Sequence, residues 1–146
     1  MDGNTPQDKA LSDSVSTPIP SPQRVLLVDD NAASASGLSR VLTALGYNVT
    51  VAGDGVSALA LLATPPPPDI LLTDLRLPDL DGRELAGAAR KLVPPPRVFL
   101  ITGWDIDPAS DEYLSWGIED VLIKPIDLQF LLSLMRRTDP KEGRSS

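Results

Sequence analysis

Residues 24–30 read Arg-Val-Leu-Leu-Val-Asp-Asp, an apolar run that stops abruptly at two acids. A short run without polar alternation predicts a strand buried on both faces of its sheet, the pattern of a parallel sheet covered by helices. The same form returns at Asp69–Thr73, which ends at Asp74, at Val98–Ile101 before Thr102-Gly103, and at Val121–Ile123 before Lys124-Pro125. Tyr47–Ala52 makes a fifth strand. Helical spacing fills the gaps. Leu38, Val41, Leu42 and Leu45 fall at i, i+3, i+4, i+7, with Gly46 as a stop. Asp54-Gly55 caps a short helix running to Ala63, and Leu85, Ala88, Ala89 and Leu92 make the next stripe before Pro94–Pro96. A weaker helix is expected over Pro108–Ser115, and Leu128, Leu131, Leu132 and Met135 mark the last. Strand and helix alternate five times, which predicts a doubly wound (βα)5 sandwich around a five-stranded parallel sheet.

The 146 residues suit one domain, since single cores are commonly built from roughly 100–150 residues. The folded part is expected over 24–138. Residues 1–23, rich in Ser, Thr and Pro, read as a disordered tail, and 139–146 as a shorter one. Pro65–Pro68 and Pro94–Pro96 read as stiff connectors. Neither a signal peptide nor a membrane-spanning run is legible, so a soluble cytoplasmic protein is expected. The chain has no cysteine and no histidine, which excludes thiolate metal sites, cysteine nucleophiles, imidazole catalysis and phosphohistidine on this chain. A net charge of −7 argues against a direct nucleic-acid surface.

Open α/β sheets bind ligands beyond the carboxyl ends of their strands. Those ends carry Asp29-Asp30, Asp74, Thr102 and Lys124. Each is ordinary turn or cap chemistry taken singly; four strands delivering polar groups to one edge is a stronger signal. Carboxylates gathered there repel by about 4 kcal/mol per pair at 4 Å and an effective dielectric of 20. A hard divalent cation relieves that repulsion, and oxygen-only ligation favours Mg²⁺ or Mn²⁺. A lysine and a hydroxyl beside such a cation suit a phosphoryl group, and Asp74 becomes a plausible nucleophile for an aspartyl phosphate. No glycine-rich loop precedes a helix to cradle a nucleotide, so the phosphoryl group arrives on another donor.

The segments VLLVDDN (25–31), LLTDLRLPDLDG (71–82), VFLITGW (98–104) and DVLIKPID (120–127) together resemble the receiver domain of two-component response regulators, typified by the bacterial chemotaxis regulator. The likeness covers about Arg24–Arg137 and implies a flavodoxin-like fold. It implies that Asp74 is the phosphoacceptor, that Asp30 and Asp74 ligate Mg²⁺ with Asp29 acting mainly through water, and that the Arg76 carbonyl adds a ligand. It also implies that Thr102 and Lys124 contact the phosphoryl group and that Lys124-Pro125 is cis. The donor would be a sensor histidine kinase or a histidine phosphotransfer protein. The chain would catalyse only its own phosphorylation and dephosphorylation, act as a stand-alone receiver without an output domain, and signal to a downstream protein that the sequence does not identify.

Three departures qualify the likeness. Val121 stands where the family carries Tyr or Phe. Arg76 and Trp104, at positions that tune phosphoryl lifetime, are both large, and slow hydrolysis is expected from their bulk. Phe130 and Leu134 lie four apart on the last helix, where the family is usually polar; they are expected to form an exposed partner or homodimer patch. Tyr113 and Trp116 are expected to pack, and Arg136-Arg137 to complement the end of that helix. Two rival readings are a pseudo-receiver that binds without taking phosphate, and a phosphatase of the haloacid-dehalogenase type. The second places its nucleophile on the first strand with another Asp two residues on; here Asp74 ends the third strand and Arg76 occupies that position.

Overall fold

The computed structural model of the chain describes residues 23–103 and 115–136. The elements in chain order are β1 (Arg24–Val28), α1 (Ala32–Ala44), β2 (Asn48–Ala52), α2 (Gly55–Ala63), β3 (Ile70–Asp74), α3 (Gly82–Ala89), β4 (Arg97–Thr102), β5 (Asp120–Ile123) and α4 (Leu128–Arg136). The five strands form one parallel sheet in the order β2-β1-β3-β4-β5. The chain leaves β1 toward one edge and returns to the other side of it at β3, so the topological switch point lies between the acidic ends of β1 and β3.

Period-two alternation along the strands splits the core in two. Leu26, Val28, Leu71, Val98, Leu100 and Val121 pack with Ala58 and Leu62 of α2 and with Leu85, Ala86 and Ala89 of α3. Val25, Leu27, Ile70, Leu72, Phe99 and Ile101 pack on the other side with Ala35 and Leu42 of α1 and with α4. β3 is buried along its whole length, as its apolar run requires, whereas β2 lies at the sheet edge and is largely exposed. The helix starts are set by local side chains. Asn31 accepts from Ser34 N at 2.9 Å, and Asp54 accepts from Ser57 N at 2.8 Å. Asp81 and Glu84 form a capping box on α3. Gly46, at φ 104°, turns the chain out of α1 in the left-handed region that a side chain would disfavour.

Among the described residues there are five strands and four helices. Strand boundaries shift by one residue at β2 to β5. The expected helix over Pro108–Ser115 falls outside the described residues except for Ser115, which opens a short 3₁₀ turn. α3 ends at Ala89, earlier than its apolar stripe suggests, although Leu92 still packs against the core from the following turn. Both tails lie outside the described residues, apart from Gln23.

Leu134 corrects the expected surface patch. It is 3% exposed and belongs to the same core cluster as Phe99 and Leu131, while Phe130 is 44% exposed. The buried arc of α4 takes in Leu131, Leu132, Leu134 and Met135, which is wider than the single stripe read from the sequence. The last turn is also tied down from the sheet: the Arg97 guanidinium donates to the carbonyls of Leu134 at 2.6 Å and Met135 at 3.0 Å. Arg97 in turn pairs with Glu119 at 2.9 Å. The apolar patch on this helix therefore reduces to Phe130.

Candidate functional site

β1 and β3 run side by side and place Asp29, Asp30 and Asp74 together beyond the carboxyl edge of the sheet. One carboxylate oxygen of each lies within 4.8 Å of the others. Asp29 and Asp74 are buried and Asp30 is exposed, so the cluster meets solvent at Asp30. Asp29 is fixed through its backbone, which donates to Ala52 O at 3.1 Å, and through Oδ1, which accepts from Asn31 N at 2.9 Å. The ends of β4 and β5 bring the remaining groups. Thr102 is buried at 3% exposure, and its carbonyl accepts from Lys124 N at 2.8 Å. The Lys124-Pro125 peptide is cis. Lys124 Nζ lies 3.1 Å from Asp74 Oδ1.

Asp74 is electrostatically uncomfortable. Its carboxyl is pushed up from 3.8 to about 7, chiefly by burial and then by a hydrogen bond with the Asp29 carboxyl, which needs a shared proton; Lys124 acts in the opposite direction. Its Oδ1 is buried and has no aligned hydrogen bond, despite the nearby ammonium. The ammonium answers this oxygen in charge but not in hydrogen-bond geometry, which leaves acceptor capacity for a cation or donor. Three convergent carboxylates with no nitrogen or sulfur ligand fit a hard cation such as Mg²⁺.

The segment between β3 and α3 is held at both ends. Leu75 N donates to Ile101 O at 2.8 Å, Gly82 N donates to Leu75 O at 2.7 Å, and the backbones of Arg76 and Asp81 pair as an isolated antiparallel β-bridge. A β-carbon at Gly82 would run into the carbonyl oxygen of Asp74, so only glycine lets α3 start this close to the acceptor. The Asp81 carboxyl is held low chiefly by the hydrogen bond from the Arg83 side chain, with a lesser contribution from the charge of Arg76, which is exposed.

The sequence-derived group Asp29, Asp30, Asp74, Thr102 and Lys124 is thus assembled at one edge. Val121 is buried at 3% exposure in the core beneath β4 and β5. Trp104 and Tyr113 lie outside the described residues. Trp116 packs against the core, with the Arg83 guanidinium 4.9 Å from its ring centroid. Sequence reading missed Asp79, whose two oxygens accept from Gly55 N at 2.8 Å and Val56 N at 2.9 Å. Its partners are remote in sequence, so no local spacing announces them. It also missed Gly82, for which the turn residues Asp79 to Gly82 were the available signal.

Comparison with known proteins agrees with this geometry. The family model described as the response regulator receiver domain matches residues 25–136. Response regulator MprA of Mycobacterium sp. (strain KMS) is 38% identical over 129 residues, covering 86% of this chain and 56% of the relative. The chain thus spans about half the length of the curated relatives it matches. The CheY-like receiver domain protein of Methanospirillum hungatei superposes with a TM-score of 0.74 at 28% identity, covering 86% of this chain and all of that one (100%). A Burkholderia pseudomallei response regulator, solved with a phosphorylated aspartic acid, calcium ion and citrate, superposes with a TM-score of 0.72 at 26% identity, covering 84% of this chain and 71% of that one.

Proposed function

The chain belongs to the response regulator receiver family, and on that premise we propose that it takes a phosphoryl group from a partner's phosphohistidine onto Asp74. The observation that carries this reading is Asp74 itself: a buried carboxylate at the switch point, 3.1 Å from Lys124 Nζ and clustered with Asp29 and Asp30. An Asp74 carboxylate oxygen attacks phosphorus, the bond to the donor imidazole nitrogen breaks, and the nitrogen keeps the electron pair. Asp30, Asp74 and the Arg76 carbonyl would hold Mg²⁺, with Asp29 acting mainly through water. Charge neutralisation on the carboxylates and the phosphoryl oxygens is the chemistry the cation supplies.

Lys124 holds the Asp74 oxygen before transfer and moves to a phosphoryl oxygen after it, and Thr102 donates its hydroxyl to another. Because Thr102 and Lys124 are joined by a backbone hydrogen bond, the two strand ends respond together. The added group carries close to two negative charges at neutral pH, enough to bias the loops after β4 and β5 between two packings. In this reading the chain catalyses only its own phosphorylation and dephosphorylation, in the cytoplasm. The donor is a sensor histidine kinase or a histidine phosphotransfer protein. Output runs through protein docking at the face that bears Phe130, with a homodimer as one form of it, and Arg76 and Trp104 prolong the phosphoryl lifetime.

Incubation with acetyl phosphate and Mg²⁺ tests the reading. One phosphoryl group per chain is expected, lost in Asp74→Ala and blocked by a chelator. A folded chain that takes no label would be a binding module instead, and sustained turnover of p-nitrophenyl phosphate would make it a phosphatase.

A further inference from the structure

We propose that Asp79 is a positioning residue for phosphorylation, a clasp that ties the acceptor loop to the half of the site built on β1. The inference rests on the receiver reading, since the Arg76 carbonyl matters only if that loop serves Asp74.

The loop from Leu75 to Gly82 is closed at its base by the Gly82–Leu75 hydrogen bond and the Arg76–Asp81 bridge. Those contacts fix the loop ends to each other. They leave open the tilt of the loop toward Asp29 and Asp30, which belong to another strand. Asp79, near the tip, reaches across to α2 and accepts from two of its first backbone N–H groups, at 2.8 and 2.9 Å. The α2 start follows directly from β2, whose last residue, Ala52, accepts from Asp29 N at 3.1 Å. A path of hydrogen bonds and short covalent links therefore runs from Asp29 through Ala52 and Gly55 to Asp79, and on along the loop to Gly82, whose N–H donates to Leu75 O beside Asp74. The fit is close: a β-carbon on Gly55 would collide with the Leu80 side chain, next to Asp79.

The same helix supplies its own control. Asp54 also caps α2, accepting from Ser57 N at 2.8 Å, but it stands outside the acceptor loop. If Asp79 merely stabilises the helix, losing either carboxylate should have the same consequence. If it positions the loop, only its loss should alter the response to Mg²⁺.

The full chain, as wild type, Asp79→Ala, Asp79→Asn and Asp54→Ala, is titrated with Mg²⁺ while the thermal midpoint and the initial rate of labelling by acetyl phosphate are followed. In Asp79→Ala the Mg²⁺ concentration for half-maximal effect should rise about tenfold, the usual scale for losing a group that orients a ligand. Asp79→Asn, which keeps one acceptor oxygen, should fall between. Asp54→Ala should lower the midpoint yet keep the Mg²⁺ dependence of the wild type. Equal Mg²⁺ dependence in Asp79→Ala and wild type overturns the proposal, and so does an equal shift in Asp54→Ala. Should Asp79→Ala fail to fold, the Asp79→Asn shift decides alone. If the wild type takes no label, the receiver reading falls, while the thermal titration still decides whether Asp79 sets the cation response.

Discussion

Asp74 is both the reactive group and a source of instability. Its carboxyl is held near 7 chiefly by burial, so the folded chain keeps a proton there that the unfolded chain releases near 3.8. The sign follows directly: this group's contribution to stability is full below about pH 4 and is lost as pH rises through about 7. Asp79 and Asp81 are shifted downward, and what they contribute is lost only as pH falls toward the acid range, so the two effects occupy separate windows. In metal-free protein, Asp74→Asn should therefore gain stability over wild type between pH 5 and pH 8, reaching a few kcal/mol, as read from urea midpoints. A constant difference across that range would show that Asp74 is not strained. Lys124 loses its partner in the variant, but its side chain is 42% exposed, so water takes over at little cost.

Two glycines in helices separate a packing requirement from a mere propensity. At the start of α3, Gly82→Ala forces the new methyl against the Asp74 carbonyl, and should destabilise by about 1–3 kcal/mol and slow phosphorylation. In the exposed interior of α1, Gly37 has open space around its missing β-carbon, and Gly37→Ala should stabilise by about 1 kcal/mol. Chemical denaturation of both variants checks the contrast; a loss in each would mean that α1 is not free to accept the methyl. The same distinction explains what was legible in the sequence. Four of the five strands could be read because β1, β3, β4 and β5 are nearly continuous apolar runs, and the acids could be read because they end β1 and β3. Distant closures could not. Arg97 begins β4 in sequence yet binds the last turn of α4 and Glu119 in space, holding against the sheet the turn in which Leu134 is buried. Asp79 is likewise explained only by α2, whose N–H groups lie 24 and 23 residues away. Periodicity reports which face of an element is buried, whereas such ties depend on which elements become neighbours.

For the molecule as a whole, the absence of histidine becomes a chemical discriminator. The 146 residues contain carboxylates and hydroxyls able to carry a phosphoryl group, but no imidazole. The Asp74 product is an acyl phosphate, a mixed anhydride that hydroxylamine cleaves to a hydroxamate with release of phosphate. A serine or threonine ester would resist the same treatment, and phosphohistidine cannot form on this chain, which has no histidine. Protein labelled from acetyl phosphate with Mg²⁺ should lose its label to neutral hydroxylamine, leaving the hydroxamate in the peptide that contains Asp74. The Phe130→Asp variant should label and lose phosphate in the same way, because Phe130 is 44% exposed and belongs to neither the acidic cluster nor the Lys124–Asp74 pair. Label that survives hydroxylamine would place the phosphoryl group on a hydroxyl, and the acidic edge would then have to be explained as a cation site alone.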